Sequence, residues 1–242
     1  MQKAPQPESS GFVKTLNNMG YMTSSLDPFS RQFVEFALRS PGPALDVGAA
    51  YGVASLAALE LGATVISNDI DARHLEVLRS RVPAAQLDRL TTIAGAFPGE
   101  LKLGKGSIGA ALIARVLHFF PGTLIDQSFE ALSEWLAPGG KVFIVAETPY
   151  LRNFQKFIPE YERRRAAGDR WPGFIDDVQA LDPERGKFLP KTMHLLDPDV
   201  LSRSATQAGL TVEKCQTINR TDFPDDLRFD GRESVGLIGV KK

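Results

Sequence analysis

The chain has 242 residues, of which 43% are hydrophobic and 24% charged, and a formal net charge of -1. That is apolar material for one large core, a size at which a doubly wound α/β sheet forms a single domain, while the near-neutral balance supplies no field to neutralise a phosphate backbone and argues against nucleic acid as a partner. Cys215 is the only cysteine, which excludes an intramolecular disulfide and a multi-cysteine metal site and fits a reducing, cytoplasmic setting.

No apolar run approaches the roughly 18 residues of a membrane span, and Met1 to Ser10 lacks the apolar stretch of a secretory signal, so no membrane association is expected. Residues 1–20 are polar, contain Pro5, Pro7, Gly11 and Gly20 and show no apolar period; they read as a loose leader, with order beginning near Tyr21. Asp27-Pro28 is a cap and first-turn pair, and Phe29, Phe33 and Phe36 recur at helical spacing, which predicts a helix to about Leu38 with its phenyl face in the core.

Strand, tight turn and helix then alternate. Strands are expected at Ala44 to Val47 and Ala63 to Asn68, and helices at Val53 to Leu61 and from an Asp71 cap through Arg81. Leu90 to Ala94 and Ala110 to Ile113 are the next strands, followed by a helix from Thr123 to Leu136 whose Ile125, Phe129, Leu132 and Leu136 share a face, and a strand from Lys141 to Ala146. Strands separated by helices imply a parallel sheet. Residues 149–190 interrupt this rhythm with five prolines among aromatic side chains and read as an inserted lid; Arg163 to Arg165 within it, beside Glu160, Glu162 and Asp169, read as a solvated helix face. A helix capped at Asp197-Pro198 and strands near Thr211 to Thr217 and Ser234 to Val240 close the chain, the last two pairing antiparallel because no helix separates them.

The chemistry concentrates after the first long strand. Asp46-Val47-Gly48-Ala49-Ala50-Tyr51-Gly52 puts a carboxylate at a strand end and glycines where the backbone turns into a helix and can approach a ligand. Nicotinamide and flavin proteins use similar loops, but they set an anionic pyrophosphate there, which Asp46 would repel. S-adenosylmethionine (SAM) sets a zwitterion there whose ammonium Asp46 would satisfy. Asp69 ends the second strand 23 residues later and suits an acid that accepts from ribose hydroxyls; Asp71 is its helix's cap.

In these parts and their order the chain resembles the class I SAM-dependent methyltransferases. Leu45 to Gly52 resembles the family's first motif, Asp69 its ribose acid, Ile113 to Phe119 its motif after strand four, and Leu136-Ala137-Pro138-Gly139-Gly140 its turn into strand five. The resemblance implies a Rossmann-like, doubly wound, seven-stranded α/β sheet, mostly parallel with an antiparallel C-terminal strand, spanning residues 21–242 with the lid as an insertion. It implies SAM as cofactor, held by Asp46, Gly48, Ala50, Gly52, Asp69 and Ile70, by Ala96 and Phe97, and by Ala114 and Arg115. The family's adenine acid is replaced by Ala96 and a common glycine of the first motif by Ala50, so adenine would rest on backbone groups and Phe97. The segment Ala114-Arg115-Val116-Leu117-His118-Phe119 resembles the form found in enzymes of small metabolites rather than that of nucleic-acid or protein-arginine enzymes.

A small-molecule acceptor is therefore expected, with methyl transfer by in-line displacement. His118 is a candidate base or packs beside Phe119 and Phe120; His194 is a second candidate with the same alternatives, and His74 reads as a surface residue. Tyr21, Tyr150, Trp171 and Phe174 are candidate substrate contacts in a roof built from residues 21–25 and 149–190. No metal site is expected from three scattered histidines, and the chain reads as a monomer or homodimer. A catalytically inactive SAM-binding scaffold and an NAD-dependent oxidoreductase or epimerase are the alternatives.

Overall fold

The computed structural model describes residues 5–6, 12–17 and 19–242. Its first element is a small hairpin, β1 (Phe12–Lys14) antiparallel to β2 (Tyr21–Thr23). Helix α1 (Pro28–Ala37) follows, started by Asp27, whose Oδ1 accepts from the amides of Phe29 and Ser30 at 2.8 and 3.0 Å.

The alternating part then runs β3 (Ala44–Val47), α2 (Val53–Glu60), β4 (Val65–Asp69), α3 (Ala72–Arg81), β5 (Leu90–Ala94), β6 (Ile108–Ala114), α4 (Gly122–Trp135) and β7 (Leu136–Glu147). Residues 149–190 hold α5 (Ile158–Ala166), β8 (Phe174–Ile175) and α6 (Val178–Leu181), and β9 (Met193–His194) pairs back on β8. The chain closes with α7 (Pro198–Gln207), β10 (Thr211–Ile218) and β11 (Ser234–Val240).

Seven strands form one sheet in the order β10-β11-β7-β6-β3-β4-β5. The five from β7 to β5 are parallel, and β11 is antiparallel to both of its neighbours. This is the expected Rossmann-like architecture. The chain winds outward from β3 through β4 to β5 and then returns to lay β6 on the other side of β3, so the order reverses between β3 and β6. In open α/β sheets the crevice at the carboxyl ends of such a pair is where ligands bind.

Alternate side chains feed two cores. Leu45, Val47 and Ile113 pack with Ile125, Phe129 and Leu132 of α4 and Leu201 of α7. Ala44, Leu112 and Phe143 pack with Phe29 and Phe33 of α1, Ala58 of α2 and Leu78 of α3. A third cluster joins Phe12 to Tyr150, Phe154, Tyr161, Phe223 and Leu227. Order therefore begins earlier than the loose leader to residue 20 suggests: Phe12 is buried, with the Phe223 ring edge-on at 5.3 Å. The remainder of that leader, residues 1–4, 7–11 and 18, lies outside the described residues. Among the described residues no helix is long and apolar enough to cross a membrane.

Candidate active site

The turn after β3 is held in left-handed backbone, with Gly48 at φ 66°, Ala50 at 46° and Gly52 at 81°. A Cβ on Gly48 would run into Val116 Cγ2, so glycine there lets the turn close against the loop after β6. Ala50 is strained, and its amide is pinned by Asp69 Oδ2 at 2.9 Å. Gly52 serves packing instead: it starts α2 against Leu78 and does not line the cavity below, unlike the other residues of the expected cofactor set.

That cavity, of about 230 Å³, lies at the switch point. Asp46, Gly48 and Ala50 line it from the first turn, Asp69 and Ile70 from the end of β4, Ala96 and Phe97 from the end of β5, and Ala114 and Arg115 from β6. Its roof departs from expectation. Thr15, Asn17, Met19, Met22 and Ser25 join Tyr21 there, and no residue of 149–190 lines it. The N-terminal hairpin reaches over the cavity because Tyr51 Oη donates to Lys14 O at 2.9 Å and Arg73 Nη2 to Leu16 O at 3.1 Å.

The two acids differ in what they already hold. Asp69 accepts from the amides of Ala50 and Asp71, each at 2.9 Å, and faces His74 Nδ1 at 3.0 Å, so most of its roughly four acceptor sites are filled within the chain and Oδ2 keeps one. One ribose hydroxyl, rather than two, is the natural partner. Asp46 accepts from Ser55 Oγ at 2.6 Å, and burial pushes its carboxyl up to about 6 against that bond. A buried carboxylate so disfavoured fits a cationic ligand group. Phe97, stacked on Phe120 at 6.4 Å, supplies an apolar wall, while the Ala96 amide is already bound to Glu100 Oε2 at 2.7 Å. Phe97 rather than that amide is left to meet an adenine.

His74 corrects the surface reading: it is only 1% exposed. Nothing local in the sequence marks it, because its burial comes from the hairpin folded over α3. His118 is buried, held edge-on to Phe119 at 4.2 Å, and lines a second, smaller cavity of about 60 Å³. Burial pushes its imidazole down to about 4. Tyr21, Arg115 and Phe119 line both cavities and form the wall between them. The far side of the small cavity comes from Leu151, Asn153, Phe154 and Leu189, so the inserted segment covers this space rather than the large one.

The remaining candidates lie elsewhere. His194 is enclosed by Trp171 and Phe174, with ring centroids 5.0 and 5.9 Å away, and lines neither cavity; burial also holds it near about 4. Trp171 packs over Gly122, with Arg203 4.7 Å from its ring. Tyr150 donates to Glu162 and carries Arg232 3.4 Å above its ring. These aromatic side chains build the inserted segment. Glu147, missed in the sequence, lines the small cavity and accepts from Arg115 Nε at 2.6 Å and Ser234 Oγ at 2.7 Å. Its signal was an acid ending the apolar run of β7. Among the described residues no three His, Cys, Asp or Glu groups cluster as metal ligands.

Residues 44–140 match the family described as a methyltransferase domain. No curated protein matches the chain. Among solved structures, a SAM-dependent methyltransferase from Methanosarcina mazei superposes with a TM-score of 0.65 at 15% identity, over 90% of this chain and 98% of that one. One from Mesorhizobium loti gives 0.63 at 16%, over 88% and 98%. The glycopeptide N-methyltransferase MtfA, in complex with S-adenosylhomocysteine, gives 0.55 at 20%, over 88% and 87%. Residues 44–140 thus carry a match to a methyltransferase domain, and the chain as a whole shares its fold with these SAM-dependent methyltransferase structures.

Proposed function

We propose that the chain binds SAM in the larger cavity and transfers its methyl group to a small-molecule acceptor seated in the smaller one. The observation that carries this reading is that the two cavities adjoin, sharing Tyr21, Arg115 and Phe119 beside the carboxyl ends of β3 and β6. Asp46 would answer the ammonium, Asp69 a ribose hydroxyl, and Phe97 the adenine ring. SAM supplies an electrophilic methyl on a sulfonium, and the protein's part is to align the acceptor with it and exclude water. The small cavity, lined by Phe154, Leu189 and Phe223 and of about 60 Å³, suits a compact acceptor rather than a polymer.

Methyl-labelled SAM incubated with the protein and a cell extract tests this. Label is expected in the low-molecular-mass filtrate; label confined to protein or nucleic acid would overturn the small-molecule reading. A SAM-holding scaffold without transfer is the second reading, favoured by the Ala96 amide and Asp69 carboxylate already engaged within the chain. It predicts SAM binding with no label leaving the cofactor.

A further inference from the structure

The smaller cavity is apolar except for a few groups, and three of those are incomplete. Phe12, Phe154, Leu189 and Phe223 supply much of its wall, and Arg115, His118 and Asn153 stand among them. Arg115 Nη1, His118 Nδ1 and Asn153 Oδ1 are each buried with no hydrogen-bond partner. Buried polar atoms are almost always paired, so three orphans around one space call for an occupant. They are not the result of slack side chains. Arg115 Nε is fixed by Glu147, its guanidinium lies 5.2 Å from the ring centres of both Phe12 and Phe223, and its backbone is held at φ 62°. Asn153 Nδ2 donates to Asp182 Oδ2 at 2.8 Å, which settles that the orphan end is the oxygen.

Charge and hydrogen-bond sense then select the occupant. Arg115 is answered by Glu147, Arg220 by a two-pronged bond to Asp222, and Arg185 at the rim by Asp226. No net charge is left for a ligand to neutralise. The orphans comprise a donor, Arg115 Nη1, an acceptor, Asn153 Oδ1, and a neutral imidazole nitrogen that accepts when its ring proton sits on Nε2. A hydroxyl accepts from Nη1 and gives its one hydrogen to either His118 Nδ1 or Asn153 Oδ1, which lie on the same space. A carboxylate would add an unanswered charge and donate to neither acceptor, an ether cannot donate at all, and an ammonium would face Nη1 cation to cation.

We propose that this cavity takes the neutral hydroxyl of an apolar, phenol-like acceptor, with Arg115, His118 and Asn153 as the groups that contact it. The assignment rests on the SAM-dependent reading above. The hydroxyl oxygen uses a lone pair to form the new O–CH₃ bond while the methyl's bond to sulfur breaks and its electron pair stays on sulfur. The hydroxyl proton passes to His118 Nδ1 and from there to solvent, and the sulfonium becomes a neutral thioether.

The test uses the full chain with S-adenosylhomocysteine, titrated by ligand-observed NMR with phenol, anisole, benzoate and cyclohexylamine. Phenol is expected to bind at least tenfold more tightly than each of the others. Asn153→Leu, which lies off the larger cavity, should weaken phenol at least fivefold while S-adenosylhomocysteine binds as before. Arg115→Gln should weaken phenol further, and Asn153→Leu keeps the test decisive if that variant does not fold. No calorimetric heat with S-adenosylhomocysteine would overturn the SAM reading and this assignment with it. Normal cofactor binding with phenol undetected, no tighter than anisole or benzoate, or indifferent to Asn153→Leu would overturn the hydroxyl assignment alone.

Discussion

His74 Nδ1 lies 3.0 Å from Asp69 Oδ1, and His74 Nε2 accepts the Leu16 amide hydrogen at 2.9 Å. Because an N–H donates to Nε2, that nitrogen is bare, and Nδ1 carries the proton it gives to the carboxylate. One neutral imidazole thus ties the roof of the larger cavity to the acid expected to hold ribose.

Replacing His74 by Phe preserves the edge contact with Tyr51 at 5.3 Å and removes both hydrogen bonds. The Leu16 amide loses its partner and Asp69 Oδ1 keeps only the Asp71 amide, so stability should fall by about 1–3 kcal/mol in urea titrations. SAM affinity should fall about tenfold by calorimetry, a loss of ~1.4 kcal/mol, as the roof loosens. Unchanged affinity would reduce His74 to a core residue.

Asp46 should trade stability for binding. Its folded-state carboxyl sits at about 6 against an ordinary 3.8, chiefly through burial. Between those values the folded protein holds a proton that the unfolded chain has released, so this group's contribution to stability declines as pH rises through that window. By pH 7 the loss approaches ~3 kcal/mol as an upper bound. Asp46→Asn should therefore raise the melting temperature above pH 6 and weaken SAM. In the wild type, SAM affinity should climb with pH through about 6, since a bound ammonium favours the carboxylate. A pH-independent affinity would remove Asp46 from contact with the ligand's cation.

Gly48→Ala should destabilise by roughly 2–4 kcal/mol, combining a positive φ with a clash on Val116. Gly139→Ala, at φ 77° with nothing near its Cβ, meets the backbone penalty alone, about 1–2 kcal/mol. Adding Val116→Ala to Gly48→Ala should restore the steric part but not the backbone part, and denaturant titration of the double-mutant cycle measures the difference.

Much of the sheet was legible in the sequence because its signals are local. Asp27-Pro28 and Asp71 start their helices where expected, and the strands at 44–47, 90–94 and 234–240 have the expected bounds. Asp46, Gly48 and Asp69, at the ends of β3 and β4, line the larger cavity together as their positions in the sequence suggest. What escaped was decided by distant partners. A strand as short as Phe12–Lys14 carries no period of its own, and Phe12 is buried because Phe223 waits for it. His74 on α3 looks exposed until the hairpin covers it. The aromatic side chains of 149–190 announce a segment with its own small core, and nothing in their spacing says which of two cavities that segment covers.

The acid sensitivity of the protein should trace to His118 and separate its two roles. Burial holds its imidazole near about 4; Glu147 favours the charged form and Arg115 opposes it, and Asn153 and Arg185 face the same cavity from the inserted segment. Against an ordinary value of 6.5, the folded protein binds fewer protons than the unfolded chain between those limits, so stability should fall as pH drops through that window, by up to ~3 kcal/mol. His194, shifted the same way, adds to the trend, and Asp46 opposes it between about 6 and 3.8. His118→Phe should flatten part of this slope in melting curves. Turnover follows a different course. A base already neutral at pH 5 gives a rate that stays level from pH 8 to 5, where an ordinary imidazole would lose most of its activity. If His118 takes the acceptor's proton, His118→Ala should lower turnover per folded molecule by roughly 10² to 10⁴ and leave SAM affinity nearly unchanged. A loss below about fivefold, with the same flattened melting profile, would assign His118 to packing and leave catalysis to alignment of the acceptor alone.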